Sequence, residues 1–152
     1  METTDHNEKV VNQLNDLLVK NYDAEKGYRN AIENVDNDRL KRFFRDQAAR
    51  RSQFANELDQ EIRNLHGTPK TSGSATGSAH RTWMDVKAAL SFDDEESILE
   101  ECIRGDKASR DEYEEVLEKH DLPTSAADTV MKQLNAVRDT LSAVKGLEDL
   151  HD

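Results

Sequence analysis

The hydrophobic positions of this chain recur every three or four residues, the spacing that places side chains on one face of an α-helix. The pattern predicts four long helices, over about residues 7–33, 38–66, 94–120 and 126–150. In the last of them Val130, Leu134, Val137, Leu141 and Val144 follow a single stripe. No segment alternates with period two. The sequence therefore predicts an all-α protein.

The connections between these helices predict how the helices are arranged. The polar segment Asn34–Asn37 and the Pro-containing segment His120–Ser125 are short, so each predicts a tight antiparallel hairpin. The second and third helices are instead separated by residues 67–93, which begin with a Gly/Ser/Thr-rich stretch that predicts a mobile connection. Within this crossover, residues 81–90 predict a short helix that Trp83 docks against the bundle. Two hairpins joined by one long crossover form a ferritin-like four-helix bundle, here predicted as one domain over 1–152.

Composition limits the classes of function. The chain has 152 residues and a formal net charge of -11, so phosphate backbones repel it and we expect no nucleic-acid binding. Its longest aliphatic run is far shorter than the roughly 20 apolar residues of a membrane span, so we expect no membrane segment. With one cysteine, Cys102, the chain forms no internal disulfide, which favours a reducing cytoplasm.

Charge is unevenly distributed along the helices. Basic side chains cluster at the start of the second helix, whereas the segment from Asp93 to Asp121 is strongly acidic. Complementary faces within the bundle or between subunits explain this distribution, and we expect a homo-oligomer, most simply a dimer.

A ferritin-like metal centre would need a Glu from each of two helices and a Glu-x-x-His from each of the other two. His66, His80 and His120 have no acidic residue three positions earlier, and the match Glu148-x-x-His151 lies at the carboxyl end. The complete pattern is therefore missing. Some acids could still approach one layer of the bundle and form a histidine-poor site for iron, manganese or zinc; these candidate ligands are Glu25, Asp46, Glu101, Asp106 and Asp139.

The alternative interpretation is a buried polar layer without metal, in which Glu25 and Asp106 pair with arginines. A buried charge needs a partner, and buried ion pairs can fix the register of packed helices. The residues predicted to form this layer are Asn21, Gln47, Arg50, Arg51 and Arg110. We prefer this interpretation to the metal site. Cys102 lies beside two acidic residues, which disfavour a thiolate, so we predict core packing for it and identify no catalytic residue.

Several strings of the chain resemble a known protein family. They are Gly67-Thr68-Pro69, Ser72-Gly73-Ser74, His80-Arg81-x-Trp83-Met84-Asp85-x-Lys87-x-Ala89-Leu90, Arg51-x-x-Phe54-Ala55-x-Glu57-Leu58 and Ile98-Leu99-x-Glu101-Cys102-x-Arg104-Gly105-Asp106. The resemblance runs from about Val10 to Leu141 and is to a group of small bacterial ferritin-like four-helix-bundle proteins of unknown function that are associated with stress responses. It implies a fold and a bacterial cytoplasmic setting, and no substrate.

Together these observations predict a non-enzymatic, stress-associated bundle protein that acts through its helical surface or as a homodimer. The alternative is an iron- or manganese-binding protein, for which ferroxidase-like activity depends on the carboxylate site.

Overall fold

The computed structural model describes residues 2–73 and 95–151. Within these two ranges lie four helices and no strand, which confirms the predicted all-α four-helix bundle. The helices are α1 (Glu2–Glu33), α2 (Asp38–Asn64), α3 (Glu95–Glu118) and α4 (Thr124–His151). The short helix predicted over residues 81–90 lies outside the described residues, as does most of the predicted crossover.

Local hydrogen bonds decide where two of the helices begin. Asn37 caps α2, because its side-chain oxygen accepts from the backbone N–H groups of Arg39 and Leu40. α4 begins two residues before the predicted position 126, since the carbonyl of Pro123 accepts from the N–H of Ala127 at 2.8 Å. That bond closes the first helical turn directly after the proline.

The end of α2 explains why this helix is two residues shorter than predicted. His66 adopts a left-handed backbone conformation with φ of 63°. The N–H of Gly67 then donates to the carbonyl of Ile62 at 2.9 Å, and the N–H of His66 donates to Arg63 at the same distance. This pair of bonds closes the helix and satisfies its last carbonyl groups.

The directions of the helices follow from contacts at their ends. At one end of the bundle, a carboxylate oxygen of Glu95 in α3 accepts from the backbone N–H groups of Asp36 and Asn37 in the α1–α2 loop. At the other end, Asp121 after α3 accepts a hydrogen bond from Gln13 near the start of α1. There too, Ser125 at the start of α4 donates to Glu61 near the end of α2. α2 and α3 therefore run in the same direction, while α1 and α4 run opposite to them.

The chain that leaves α2 is held along α1. Asn15 donates to the carbonyl of Thr68 at 3.1 Å and accepts from the N–H of Lys70 at 2.8 Å. Asn7 donates to the carbonyl of Leu65 at 2.9 Å. The first part of the connection that was predicted to be mobile is therefore bonded to α1, because asparagine side chains on α1 supply the partners that its backbone needs.

Two hydrophobic clusters form the core, one toward each end of the bundle. The cluster near the α1–α2 loop contains Ala24, Tyr28, Ala31, Val35, Leu40, Phe44, Ala48, Ile98, Leu99, Cys102 and Val144. The other contains Val10, Leu14, Leu17, Leu18, Phe54, Ala55, Leu58, Ile62, Tyr113, Val116, Ala126, Val130, Leu134 and Val137. Burying this apolar surface drives folding, and the level between the two clusters is polar.

Candidate functional site

A buried ion pair lies between the two hydrophobic clusters. Arg51 of α2 donates through Nη2 to Oδ1 of Asp106 of α3 at 2.8 Å, and both side chains are only 2% exposed. The hydroxyl of Tyr28 donates to the second carboxylate oxygen, Oδ2. The Arg51 guanidinium also lies 6.0 Å from the centroid of the Phe54 ring, within range of a cation–π interaction. The carboxylate is thus bonded through both oxygens.

The electrostatics of this pair reflect burial and mutual compensation. Burial raises the pKa of the Asp106 carboxyl above its ordinary value, while Arg51 and the Tyr28 hydroxyl act in the opposite direction. Burial also raises the pKa of Tyr28, and the neighbouring charge of Asp106 adds to that shift. Tyr28 therefore stays protonated and remains a donor to Asp106.

The polar layer continues from the ion pair to α4. Arg51 donates through Nη1 to Oδ1 of Asn21 at 2.9 Å, and Asn21 donates to the hydroxyl of Tyr113 at 2.8 Å. Tyr113 in turn donates to Oε1 of Gln133 at 2.6 Å. Gln133 donates to the carboxylate of the half-buried Glu57 at 2.9 Å. Each of these buried polar groups has a hydrogen-bond partner, so burying the layer does not incur the free-energy cost of an unpaired polar group.

A second polar contact joins α2 to α4. The hydroxyl of Thr140 accepts from Nη1 of Arg50 at 3.3 Å. Its single proton has two acceptors in reach, Oε1 of the buried Gln47 at 3.2 Å and the carbonyl of Ala136 at 3.0 Å. Together with the layer around Arg51, this contact fixes how far α2 and α4 can slide past each other, because a shift would leave buried polar groups unpaired.

The structure does not bring the five candidate metal ligands together. Glu25 pairs with Arg29 at 2.9 Å and Glu101 with Arg104 at 2.8 Å, each on the surface of its own helix. Asp106 reaches the core. The other two candidates, Asp46 and Asp139, are exposed. Among the side chains that the structure describes, in residues 5–73 and 95–144, no three from His, Cys, Asp or Glu are grouped so that they could hold a metal ion.

Helix geometry explains this dispersal. The inner face of α2 at this level is occupied by Gln47 and Arg51, so Asp46 points to solvent. On α4 the inner positions are Val137 and Thr140, which leaves Asp139 outside. Matching levels along antiparallel helices was therefore not enough, because the side chains also have to share a face.

The structure places the residues predicted for a polar layer in three settings. Asn21, Gln47 and Arg51 are buried between the helices. Arg50 is exposed but reaches Thr140, as described above. Arg110 lies at the surface beside Asp111 at 3.1 Å. Tyr28, Tyr113, Gln133 and Thr140 were not predicted for this layer; for the two tyrosines, the sequence signal was a hydroxyl-bearing ring on an apolar stripe.

Cys102 lies in the hydrophobic cluster near the α1–α2 loop, buried and unpaired. Burial is the main cause that raises the pKa of its thiol, and the nearby acids Asp106 and Glu101 add to it. A protonated, enclosed thiol is a poor nucleophile.

The surface carries a groove between the end of α3 and the start of α4, with a volume of about 590 Å³. Leu117, Leu122, Ala127 and Leu134 contribute its apolar lining. Met131 is 45% exposed and, among residues 5–73 and 95–144, whose side chains the structure describes, it is the single exposed large hydrophobic side chain. Exposed apolar surface of this kind is typical of contact sites.

Charged side chains surround the groove. Glu114 is held by Arg138 at 2.9 Å across the two helices. Glu118 and Asp128 also line the groove and are exposed, and neither has an ion-pair partner among the described side chains of residues 5–73 and 95–144. The face therefore offers both signs of charge around an apolar centre.

None of the described helices combines the length and hydropathy that crossing a membrane requires. No curated protein matches the chain. A family of domains of unknown function does match, over residues 9–119, which extends from α1 to the residue after α3 and covers most of the chain. The chain therefore belongs to the family described as Domain of unknown function (DUF2383).

Proposed function

We propose that this protein is a non-enzymatic interaction protein that associates through the face formed by α3 and α4, and that its polar core is structural. The observation that carries the proposal is the groove around Met131, where apolar lining and unpaired acids meet at the surface. By contrast, Arg51 and Asp106 are 2% exposed and bonded to each other, so a substrate has no access to them. A buried, fully bonded pair of this kind can specify helix register.

The remaining parts of the proposal rest on the sequence. The ferritin-like classification is supported by α2 and α3, which run in the same direction and are joined by a long connection, and by the family resemblance. The bacterial, stress-associated role follows from the resemblance alone. A cytoplasmic location is supported by the single cysteine, which is buried and unpaired.

Sedimentation velocity on the full chain tests the proposed face. The chain mass is 17.3 kDa, so we expect a species of twice that mass that grows with protein concentration at low salt. Met131→Glu should abolish it, because the variant places a charge in the apolar centre of the face. Ala49→Glu is the matched control, since it adds the same group at an exposed position of α2 and should leave association unchanged. Association that survives Met131→Glu, or a native chain that stays monomeric throughout, contradicts the proposal.

Metal binding is the alternative function, and the position of Asp106 in the middle of the bundle is the observation that favours it. Measuring the bound metal separates the metal-binding function from the interaction function. After loading with Fe(II) or Mn(II) and desalting, metal content is measured for the native chain, Glu25→Ala and Asp106→Asn. The interaction proposal predicts trace metal in all three. One or two ions per native chain that are lost in either variant would favour the metal function.

A further inference from the structure

The exposed face of α4 carries a regular stripe of residues beside the groove. Positions along it are spaced alternately by four and three residues, and all are exposed; they are Thr124, Asp128, Met131, Asn135, Arg138 and Ser142. The average spacing is 3.6 residues, the period of the α-helix itself, so these side chains share one face of α4. The stripe is therefore one continuous exposed face of α4, with Met131 as its apolar residue.

The charges on this stripe are arranged for a copy of itself. Asp128 has no ion-pair partner in the described ranges, and Arg138 is 46% exposed although it contacts Glu114. The two residues lie ten positions apart, about 15 Å along the helix axis. If a second α4 packs antiparallel with a two-fold axis at the level of Gln133, each Asp128 faces the partner's Arg138.

The same axis brings the apolar part of the face into contact. Met131 lies two residues from the level of the axis, about 3 Å along the helix. The two copies of Met131 therefore lie about 6 Å apart along the helices, a little more than one helical turn, close enough for both to be covered by the same contact. Burying this exposed apolar surface adds a favourable contribution to the ionic contacts.

We propose that a second copy of this chain occupies the α3–α4 face, through an antiparallel α4–α4 contact in which Asp128 of each chain pairs with the partner's Arg138. The inference rests on the proposed function and gives its partner. A two-fold contact uses the same patch on both subunits and closes as a dimer, the commonest symmetry of soluble oligomers.

Other occupants fit the charges less well. Lys132 and Asp139 are exposed at the positions that flank the stripe, so this flank also carries one charge of each sign. A uniformly acidic partner would meet repulsion at Asp128 and at the groove acids Glu114 and Glu118, and a uniformly basic partner would meet it at Arg138. A copy of the same stripe in the opposite direction meets complementary charge at both.

Charge reversal tests the pairing. Asp128→Arg places positive charges at both stripe positions, and Arg138→Asp places negative charges at both. We expect each single variant to lose dimer affinity by at least about tenfold at low salt, because like charges then face each other twice. An equimolar mixture of the two variants should form a heterodimer, and Asp128→Arg/Arg138→Asp in one chain should restore the homodimer. Circular dichroism melting verifies that each variant is folded.

The outcomes separate this inference from the proposed function. If the single variants dimerise as well as the native chain while Met131→Glu does not, the face is correct and the antiparallel pairing is wrong. If the native chain does not associate, both fail. If the mixture of variants stays monomeric although each single variant has lost association, the predicted pairing is overturned, since restored charge complementarity had no effect.

Discussion

Arg51→Met removes the cation of the buried ion pair and keeps an unbranched side chain in its place. The change breaks the 2.8 Å contact with Asp106 and the 2.9 Å contact with Asn21. Breaking a buried pair by removing one partner costs about 3–5 kcal/mol, because the carboxylate left in the core must either stay charged without compensation or take up a proton. We therefore expect the variant to lose about 3–5 kcal/mol of unfolding free energy at about pH 7.

The same variant should show a characteristic pH dependence. Burial raises the pKa of Asp106 and Arg51 lowers it, so removing Arg51 leaves a folded state in which this pKa is raised further. The unfolded chain releases the proton above the ordinary value of 3.8, whereas the folded variant retains it. When the pKa of a group is higher in the folded state than in the unfolded state, the group contributes stability below the unfolded pKa. That stability is lost as the pH rises. The deficit of the variant should therefore be smallest at about pH 4 and grow toward neutral pH.

Urea unfolding followed by far-ultraviolet circular dichroism, repeated across this pH range, measures the effect. Arg42→Met is the matched control; because Arg42 is exposed, it should change stability by no more than about 0.5 kcal/mol. The double variant Arg51→Met/Asp106→Leu should lose less than Arg51→Met alone, since no buried charge remains. A loss below about 1 kcal/mol with no pH dependence would refute this reasoning.

Three further predictions concern stability and ionisation. Asn15→Ala should lose about 1–2 kcal/mol by urea unfolding, because two hydrogen bonds to the chain after α2 disappear, while the exposed Asn12→Ala should stay near the native value. His66→Gly should raise stability by about 1 kcal/mol in thermal melting, since the left-handed conformation with φ of 63° costs a residue with a Cβ free energy that glycine does not lose; an unchanged or lower melting temperature contradicts this. Burial raises the pKa of Tyr113 to about 12 and that of Tyr28 well above 10.0, so stability should fall as pH rises above 10.0 and the unfolded chain ionises first. Tyrosinate absorbance should then show the two buried rings ionising only on unfolding, and ionisation in the folded state would count against their burial.

Much of the fold was predictable because it depends on periodicity. The apolar stripes predicted four helices, and the polar segment before Asp38 and the Pro-containing segment before α4 predicted where hairpins turn. The helix ends were less predictable, since the end of α2 depends on a left-handed histidine and the start of α4 on the carbonyl of Pro123. Such endings involve single backbone bonds that no hydrophobic pattern encodes.

The candidate site was predictable only in part. The sequence indicated Asn21, Gln47 and Arg51, because these polar residues lie on apolar stripes. A polar group that is buried there needs a hydrogen-bond partner. Gln133 was missed, since its role depends on Tyr113 reaching across from another helix. The groove at Met131 depends on how the end of α3 and the start of α4 pack against each other. The sequence of either helix alone does not specify this packing.

The methyl resonance of Met131 tests the central claim, association through the α3–α4 face, most directly. Methionine methyl labelling gives three signals, because the chain has three methionines, and Met131→Leu assigns the relevant one. At low salt we expect this signal to shift with increasing protein concentration, and the dependence to vanish in Asp128→Arg and to weaken as salt screens the ionic contacts. A Met131 signal that does not change with concentration, while the native chain dimerises, would place the interface elsewhere and contradict the account.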